Sequence, residues 1–281
     1  MAVATPNLSA AVRETLPTFF IVGAPKAGTT SLHEYLAEHP DIAMTSVKEC
    51  MCFEPQDWSD RLVEYGPLFA QPAPVRGESS TAYSSYPWAP DVPDRVLATV
   101  PEARIVYVVR DPIPRTLSHY AQNVWDRKPV RPFDQLMSDL EHPMNMPVWC
   151  SRYATQIERW TQRFGEERVL VLDNRDLLEH RTPTLQRVLA FLGVDSSFDS
   201  PAWRVEHNAA RDRRVPTRFA RRLESAGLRL SRGAHRRPVL SRPLPAPVLT
   251  AEQRVRLEAL LRPEAERLRA MTGLALDHWT L

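Results

Sequence analysis

Between Thr18 and Tyr35 the chain reads TFFIVGAPKAGTTSLHEY, a set of residues suited to gripping an anionic group. Gly23 and Gly28 stand in the spacing G-x-x-x-x-G, Lys26 lies inside the loop they bound, and Thr29, Thr30 and Ser31 open a helical pattern. Backbone N–H groups at such a helix start converge on one point, and the helix dipole adds to their field. A phosphate-like ligand held by Pro25, Lys26, Ala27, Gly28, Thr29, Thr30 and Ser31 is the expectation. The nucleotide-triphosphatase form of this loop needs lysine where Thr29 stands. Here the lysine sits within the loop, so the site should differ from that of an ATPase.

The elements around this loop follow from apolar patterning. Phe19–Val22 reads as a buried strand, and Leu32, Tyr35 and Leu36 mark one face of the helix after it. Short strands are expected at Asp41–Thr45 and Pro74–Ser80, with a loop through Pro55, Trp58, Tyr65 and Pro67 between them. Arg104–Val109 is a second clear strand, and Val169–Leu172 a third. Helices are expected at Val92–Val100, Pro114–Trp125, Trp149–Phe164, Thr184–Leu192 and Thr250–Met271, the last carrying Pro263 as a kink point. Alternating strands and helices predict an α/β fold: one parallel sheet of four or five strands, flanked by helices and kinase-like at its phosphate end. Residues 1–17 form an N-terminal extension, and 18–281 a single domain.

Composition narrows the function classes. With 281 residues, 43% of them apolar, the chain can bury one large core. A formal charge of +2 gives no polyelectrolyte signal. Lysine occurs only at positions 26, 48 and 128, whereas 33 of the 36 basic residues are arginine. No apolar run approaches the ~18 residues of a membrane span, and the first residues lack a secretory pattern, so no stable membrane insertion is expected. Cys50, Cys52 and Cys150 are too few for a disulfide framework and lack structural-zinc spacing. These readings predict a cytoplasmic protein. Residues 203–249 form a basic, partly irregular segment: twelve arginines stand against Glu206, Asp212 and Glu224 between Trp203 and Arg242. No nucleic-acid-reading motif accompanies them.

Two separated segments, PKAGTTSL (Pro25–Leu32) and VYVVRDPIPRTLSHY (Val106–Tyr120), closely resemble the cofactor-binding segments of the sulfotransferases that use 3′-phosphoadenosine 5′-phosphosulfate (PAPS). The closer likeness is to the heparan-sulfate sulfotransferases and their bacterial relatives. KECMCFEP resembles that family's K-E-P-H-F-F segment, and ESSTAY its following E-x-x-x-x-Y stretch. RYATQIERWTQRFGEERVLVLDNRDL and LDHWTL resemble its late helix–strand unit and C-terminus.

The resemblance implies a sulfotransferase with PAPS as sulfuryl donor, no metal, and a small-molecule or glycan acceptor. It implies that Thr29, Thr30 and Ser31 meet the 5′-phosphate, while Lys26 neutralises charge on the bridging oxygen as the S–O bond breaks. Arg110 and Ser118 are implied to hold the 3′-phosphate, with Arg115 supporting their helix and one of Arg211, Arg213 and Arg214 closing over the cofactor. Glu49 is the implied general base, beside Lys48. Glu78 is the reserve acid, and both Lys48 and Glu78 are expected at the acceptor. Cys50-Met51-Cys52 departs from the family's Pro-His-Phe pattern, so a histidine helper is missing. Ser79 stands where the heparan-sulfate enzymes often carry lysine, which argues against a highly anionic polysaccharide. The alternative function is a P-loop small-molecule kinase, for which Val171-Leu172-Asp173 is the one near match to a Walker-B strand. His33 and His119 are read as packing neighbours of the motifs, and Trp149, Tyr153 and Trp160 as core.

Overall fold

The computed structural model describes residues 3–126, 128–205, 214–217, 220, 222, 241–243 and 247–281. Its centre is one sheet of five parallel strands: β1 (Phe19–Gly23), β2 (Ile42–Met44), β3 (Val75–Ser79), β4 (Arg104–Val109) and β5 (Val169–Asp173), in the order β2-β3-β1-β4-β5. Every residue of β1 is buried, and β4 is buried from Ile105 to Val109. Strands covered on both faces need continuous apolar runs rather than alternation, which is what FFIV and IVYVV supply. Each such side chain stabilises the fold by roughly 1.5–3 kcal/mol on burial. The α/β architecture with a phosphate loop after its first strand is therefore as expected.

Helices cover both faces. α1 (Thr29–Leu36), α2 (Val92–Thr99), α3 (Pro112–Trp125), α4 (Tyr153–Phe164), α5 (Asn174–Glu179), α6 (Arg181–Leu192) and α7 (Ala251–Thr272) are the ones that bear on the site. α3 begins two residues earlier than expected because Asp111 caps it, accepting from Ile113 N at 3.1 Å, and Pro112 tolerates the first turn. The predicted Trp149–Phe164 helix is two pieces. A short turn at Met146–Trp149 ends before α4, whose face Tyr153, Ile157, Trp160 and Phe164 is buried. α7 opens with a capping box between Thr250 and Gln253 and continues through Pro263 as one element. The stretch expected to be a loop folds into short helical turns at Trp58–Arg61, Leu62–Glu64 and Tyr65–Leu68, which bury Trp58, Leu62 and Tyr65. A second apolar cluster (Ile113, Leu136, Met137, Leu140, Val148, Leu257 and Leu261) ties α7 to the β4–β5 crossover. Among the described residues no helix is long and apolar enough to cross a membrane.

Gly77 pairs with Phe19 across the β1–β3 ladder, and a Cβ there would run into the Phe19 ring and Met44 Sδ. Overpacking of this kind costs about 1–3 kcal/mol. Gly77→Ala should therefore lower unfolding free energy by about that amount in a urea titration. A neutral effect would mean that the sheet interior relaxes freely.

Candidate active site

All five strands run the same way, so their carboxyl ends share one edge. Ligands of open α/β sheets bind outside that edge, where the strand order reverses. Here the reversal lies at β1, with β2 and β3 on one side and β4 and β5 on the other. A cleft of about 880 Å³ opens there, lined by Pro25, Lys26, Gly28, Thr29, Thr30, Ser31, Lys48, Glu49, Arg110 and Ser118 among others. Ten of the residues expected at the site from sequence thus face one space. Ala27 is fully buried beneath the loop and contributes backbone only.

The loop after β1 is held by its carbonyls. Arg115 Nη1 donates to Pro25 O at 3.1 Å, Arg110 Nη1 to Lys26 O at 3.1 Å, and Asn174 Nδ2 to Ala27 O at 2.8 Å. Three consecutive carbonyls are taken by side chains from the ends of β4 and β5 and from α3. Peptide planarity sets the N–H opposite the C=O, so these bonds also fix the direction of the loop amides. Lys26 (φ 70°) and Gly28 (φ 98°) both adopt left-handed backbone. Gly28 is the N-cap of α1, and no side chain caps that helix. Ordinary Thr or Ser capping is therefore not what Thr29, Thr30 and Ser31 do. A Cβ on Gly28 would lie 2.7 Å from Asn174 Nδ2 and push aside the clamp on Ala27.

Arg115, expected only to support its helix, is a fully buried cation. Besides Pro25 O it donates to Ser151 Oγ at 2.7 Å, to His119 Nδ1 at 3.2 Å and to Pro147 O. Guanidinium can only donate, so His119 accepts at Nδ1 and keeps its proton on Nε2. Burial, then the charges of Arg115, Lys128 and Lys26, hold the His119 pKa well below the ordinary histidine value. Nearer the ligand space, Lys26 Nζ donates to Gln122 Oε1 at 3.1 Å, and Gln122 Nε2 to Asp126 Oδ1 at 2.7 Å. Ser118 and Gln122 are four residues apart on α3, one turn along the same face.

On the other side, Glu49 (φ 62°) and Met51 (φ 54°) are both in the left-handed region, which costs side-chain-bearing residues on the order of 1–3 kcal/mol each. Their backbone is stitched to the end of β3: Glu49 N donates to Ser79 O at 2.8 Å and Met51 N to Ser80 Oγ at 3.1 Å. The Glu49 carboxylate accepts from Thr81 N at 2.8 Å and Thr81 Oγ1 at 3.1 Å, and pairs with Lys48 Nζ at 2.5 Å. This half-buried acid lines the same cleft as the phosphate loop.

One expected site residue is corrected, and the near match of the kinase alternative falls outside the cleft lining. Glu78 is not at the cleft; it is wholly buried, with its carboxylate accepting from Ser80 Oγ (2.6 Å), Tyr83 Oη (2.7 Å) and Tyr65 Oη. It turns into the core on the same face as Ser80, toward the Tyr65 and Tyr83 hydroxyls, while Ser79 on the other face is itself buried and meets His33 Nδ1 at 3.0 Å. Asp173, the Walker-B candidate, ends the edge strand β5, caps α5 through Arg175 N at 3.0 Å and pairs with His278 at 3.1 Å, away from the cleft lining. Arg211 and Arg213 lie outside the described residues, as does the side chain of Arg214. Sequence reasoning missed Thr81, Gln122 and Asn174. Asn174 follows the end of a buried strand, a signal used for Arg110 but not there. Among the described residues no cluster of His, Cys, Asp or Glu is placed to hold a metal ion.

Comparison with known proteins gives a family and a fold. The model of a sulfotransferase family matches residues 17–86 and 69–199. The bifunctional heparan sulfate N-deacetylase/N-sulfotransferase 4 of Mus musculus is 25% identical over 205 residues, which cover 66% of this chain and 23% of that protein. Heparan sulfate glucosamine 3-O-sulfotransferase 3B1 of Mus musculus is 27% identical over 192 residues, 66% of this chain and 48% of its own. The chain thus spans 23% to 48% of the length of these curated relatives. A crystal structure of a sulfotransferase from Alicyclobacillus acidocaldarius matches the fold with a TM-score of 0.62 and 24% identity, over 95% of this chain and 97% of that one.

Removing the buried brace should be costly. Arg115→Met leaves the Pro25 carbonyl without its side-chain donor and the Pro147 carbonyl with only the long contacts of Thr116 Oγ1 (3.4 Å) and Ser151 Oγ (3.5 Å), and each buried unsatisfied group costs about 1–3 kcal/mol. Urea unfolding should show a loss of about 3 kcal/mol or more; a loss below ~1 kcal/mol would mean the loop does not depend on it. Glu78 gives a pH signature. Burial raises its pKa above the ordinary 4.5, opposed by its hydroxyl donors. The folded state then holds the proton more tightly than the unfolded state, so this contribution is complete below 4.5 and is lost as pH rises through the raised value. Glu78→Gln, with no proton to lose, should gain on the wild type as pH increases across that window. Parallel stability curves for the two proteins would contradict it.

Proposed function

The chain belongs to the sulfotransferase family, and from that premise we propose that it moves a sulfuryl group from PAPS to a hydroxyl of a carbohydrate, lipid or natural-product acceptor by in-line displacement. The observation that carries this reading is one cleft lined by a clamped anion loop, a strand-end arginine with a serine two turns along its helix, and an acid held by Thr81. The donor set fits the cofactor. It offers amides and hydroxyls at an α-helix start with Lys26 for one anionic group, and Arg110 with Ser118 for a second. The bound cofactor would supply an activated sulfuryl group on a phosphate leaving group.

The chain's own residues do the rest. Thr29, Thr30 and Ser31 bind the 5′-phosphate at the start of α1, and Arg110 and Ser118 bind the 3′-phosphate. One of the late arginines, Arg213 or Arg214 among them, keeps the closing role that the resemblance implies. Lys26, released from Gln122 toward the ligand, balances the negative charge that grows on the bridging oxygen, the kind of electrostatic help that acts mainly in the transition state. Glu49 takes the acceptor hydroxyl's proton. Thr81 and Lys48 hold its carboxylate for that task, and a general base must be pre-aimed within hydrogen-bond reach of the proton it removes. A cytoplasmic setting accords with three cysteines that are all free thiols.

Calorimetry with adenosine 3′,5′-bisphosphate tests the cofactor reading: binding is expected, and folded protein that shows none, but is stabilised by ATP–Mg²⁺, would replace it with a kinase-like one. Lys26→Ala should lower turnover by about 10²–10³. Glu49→Gln should lower kcat by about 10²–10⁴ while bisphosphate affinity stays within about twofold. Equal losses of affinity and kcat in Glu49→Gln would move that residue from proton transfer to ligand binding.

A further inference from the structure

The two ends of the cleft differ in chemistry. Among its described lining residues the cations are Lys26, Lys48, Lys128, Arg110 and Arg181. Four of them follow β1, β4 or β5, the side that holds the phosphate loop and Arg110. Lys48 alone stands with Glu49, and it is engaged by that carboxylate at 2.5 Å. The rest of the Glu49 side is Met51, Ala82, Ser85, Trp88 and Met146, with Glu54 as a second acid. Met51 is 36% exposed, a large apolar residue kept partly in water by a left-handed backbone and a bond from its N–H to Ser80 Oγ. The Tyr86 ring meets the Trp149 ring at 6.0 Å edge-on, which joins the Thr81–Trp88 wall to the turn carrying Met146.

We propose that this half of the cleft takes an uncharged alcohol or phenol carried on an apolar body, and not an anionic glycan. The inference rests on the sulfotransferase reading and adds the acceptor class to it. A polyanion brought to Glu49 would meet two carboxylates, one already paired lysine and a thioether–indole wall. Each anionic group would lose water and find, among the described residues lining this half, no cation other than Lys48, which Glu49 already engages. An apolar body meets the opposite situation. Met adapts to varied shapes, and Trp offers a broad rigid face, the mix found where pockets hold apolar ligands with a few polar groups fixing orientation. Thr81 and Ser85 supply those polar groups, and Glu49 meets the hydroxyl.

The test is a sulfonate-transfer assay read by mass, with PAPS and three acceptors at equal concentration: 2-naphthol, 1-octanol and a sulfated heparan oligosaccharide. Calorimetry with adenosine 3′,5′-bisphosphate runs on the same protein. Expected is bisphosphate binding with a sulfonate gained by 2-naphthol or 1-octanol at least tenfold faster than by the oligosaccharide. Met51→Ala and Trp88→Ala should each raise KM for the favoured acceptor about tenfold, the size of one lost apolar contact, with bisphosphate affinity unchanged. Bisphosphate binding with the oligosaccharide modified fastest, or with neither apolar acceptor modified, overturns the acceptor class and leaves the donor reading standing. So does an unchanged KM in both variants. Absence of bisphosphate binding overturns both together.

Discussion

The site depends on three consecutive loop carbonyls being held from outside the loop. Pro25, Lys26 and Ala27 each give their C=O to a side chain, and the three donors come from Arg115, Arg110 and Asn174. A glycine loop left to itself would sample many conformations, since Gly28 and Lys26 sit in backbone regions that little else enforces. The clamp removes that freedom before any ligand arrives, so the ordering cost is met during folding and not at binding. It also makes the loop contingent on the sheet. Arg110 and Asn174 are placed only because β4 and β5 pair in register beside β1, with Val109 opposite Asp173.

Arg115 adds an electrostatic dimension. Its guanidinium is surrounded by neutral acceptors, two carbonyls, a hydroxyl and a neutral imidazole, so its hydrogen bonds are satisfied while its charge is not cancelled by any carboxylate among those partners. In a poorly polarisable interior such a charge is felt across the loop it braces. A loop backed by fixed positive charge and lined by amides is a standing invitation to an anion, and the wall around Glu49 has the opposite character.

Much of this was legible in the chain. FFIV, IVYVV and VLVL are continuous apolar runs, and such runs identify fully covered strands without any knowledge of partners. Site residues next to those runs, Lys26 and Arg110 above all, could be placed because strand ends locate ligands. What escaped was of two kinds. Thr81, Gln122 and Asn174 act through contacts with residues 32, 96 and 147 positions away, a distance over which local pattern carries no information. Glu78 was misplaced for a finer reason: in a short strand beginning Val75-Arg76-Gly77, burial on both faces hides which way an acid turns. The turns between Trp58 and Leu68 were hidden likewise, since Pro55 and Pro67 read as loop punctuation until Trp58, Leu62 and Tyr65 find the core.

The strand order has a consequence for how such a protein can change over time. Everything that grips the anion follows β1, β4 and β5, whereas Glu49, Met51 and Thr81 follow β2 and β3 on the opposite flank. The crossovers carrying the second group can be exchanged between homologues, or lengthened by insertion, without disturbing the register that sets the first. The strand order thereby separates the part of the site that must stay in register from the part carried on exchangeable connections.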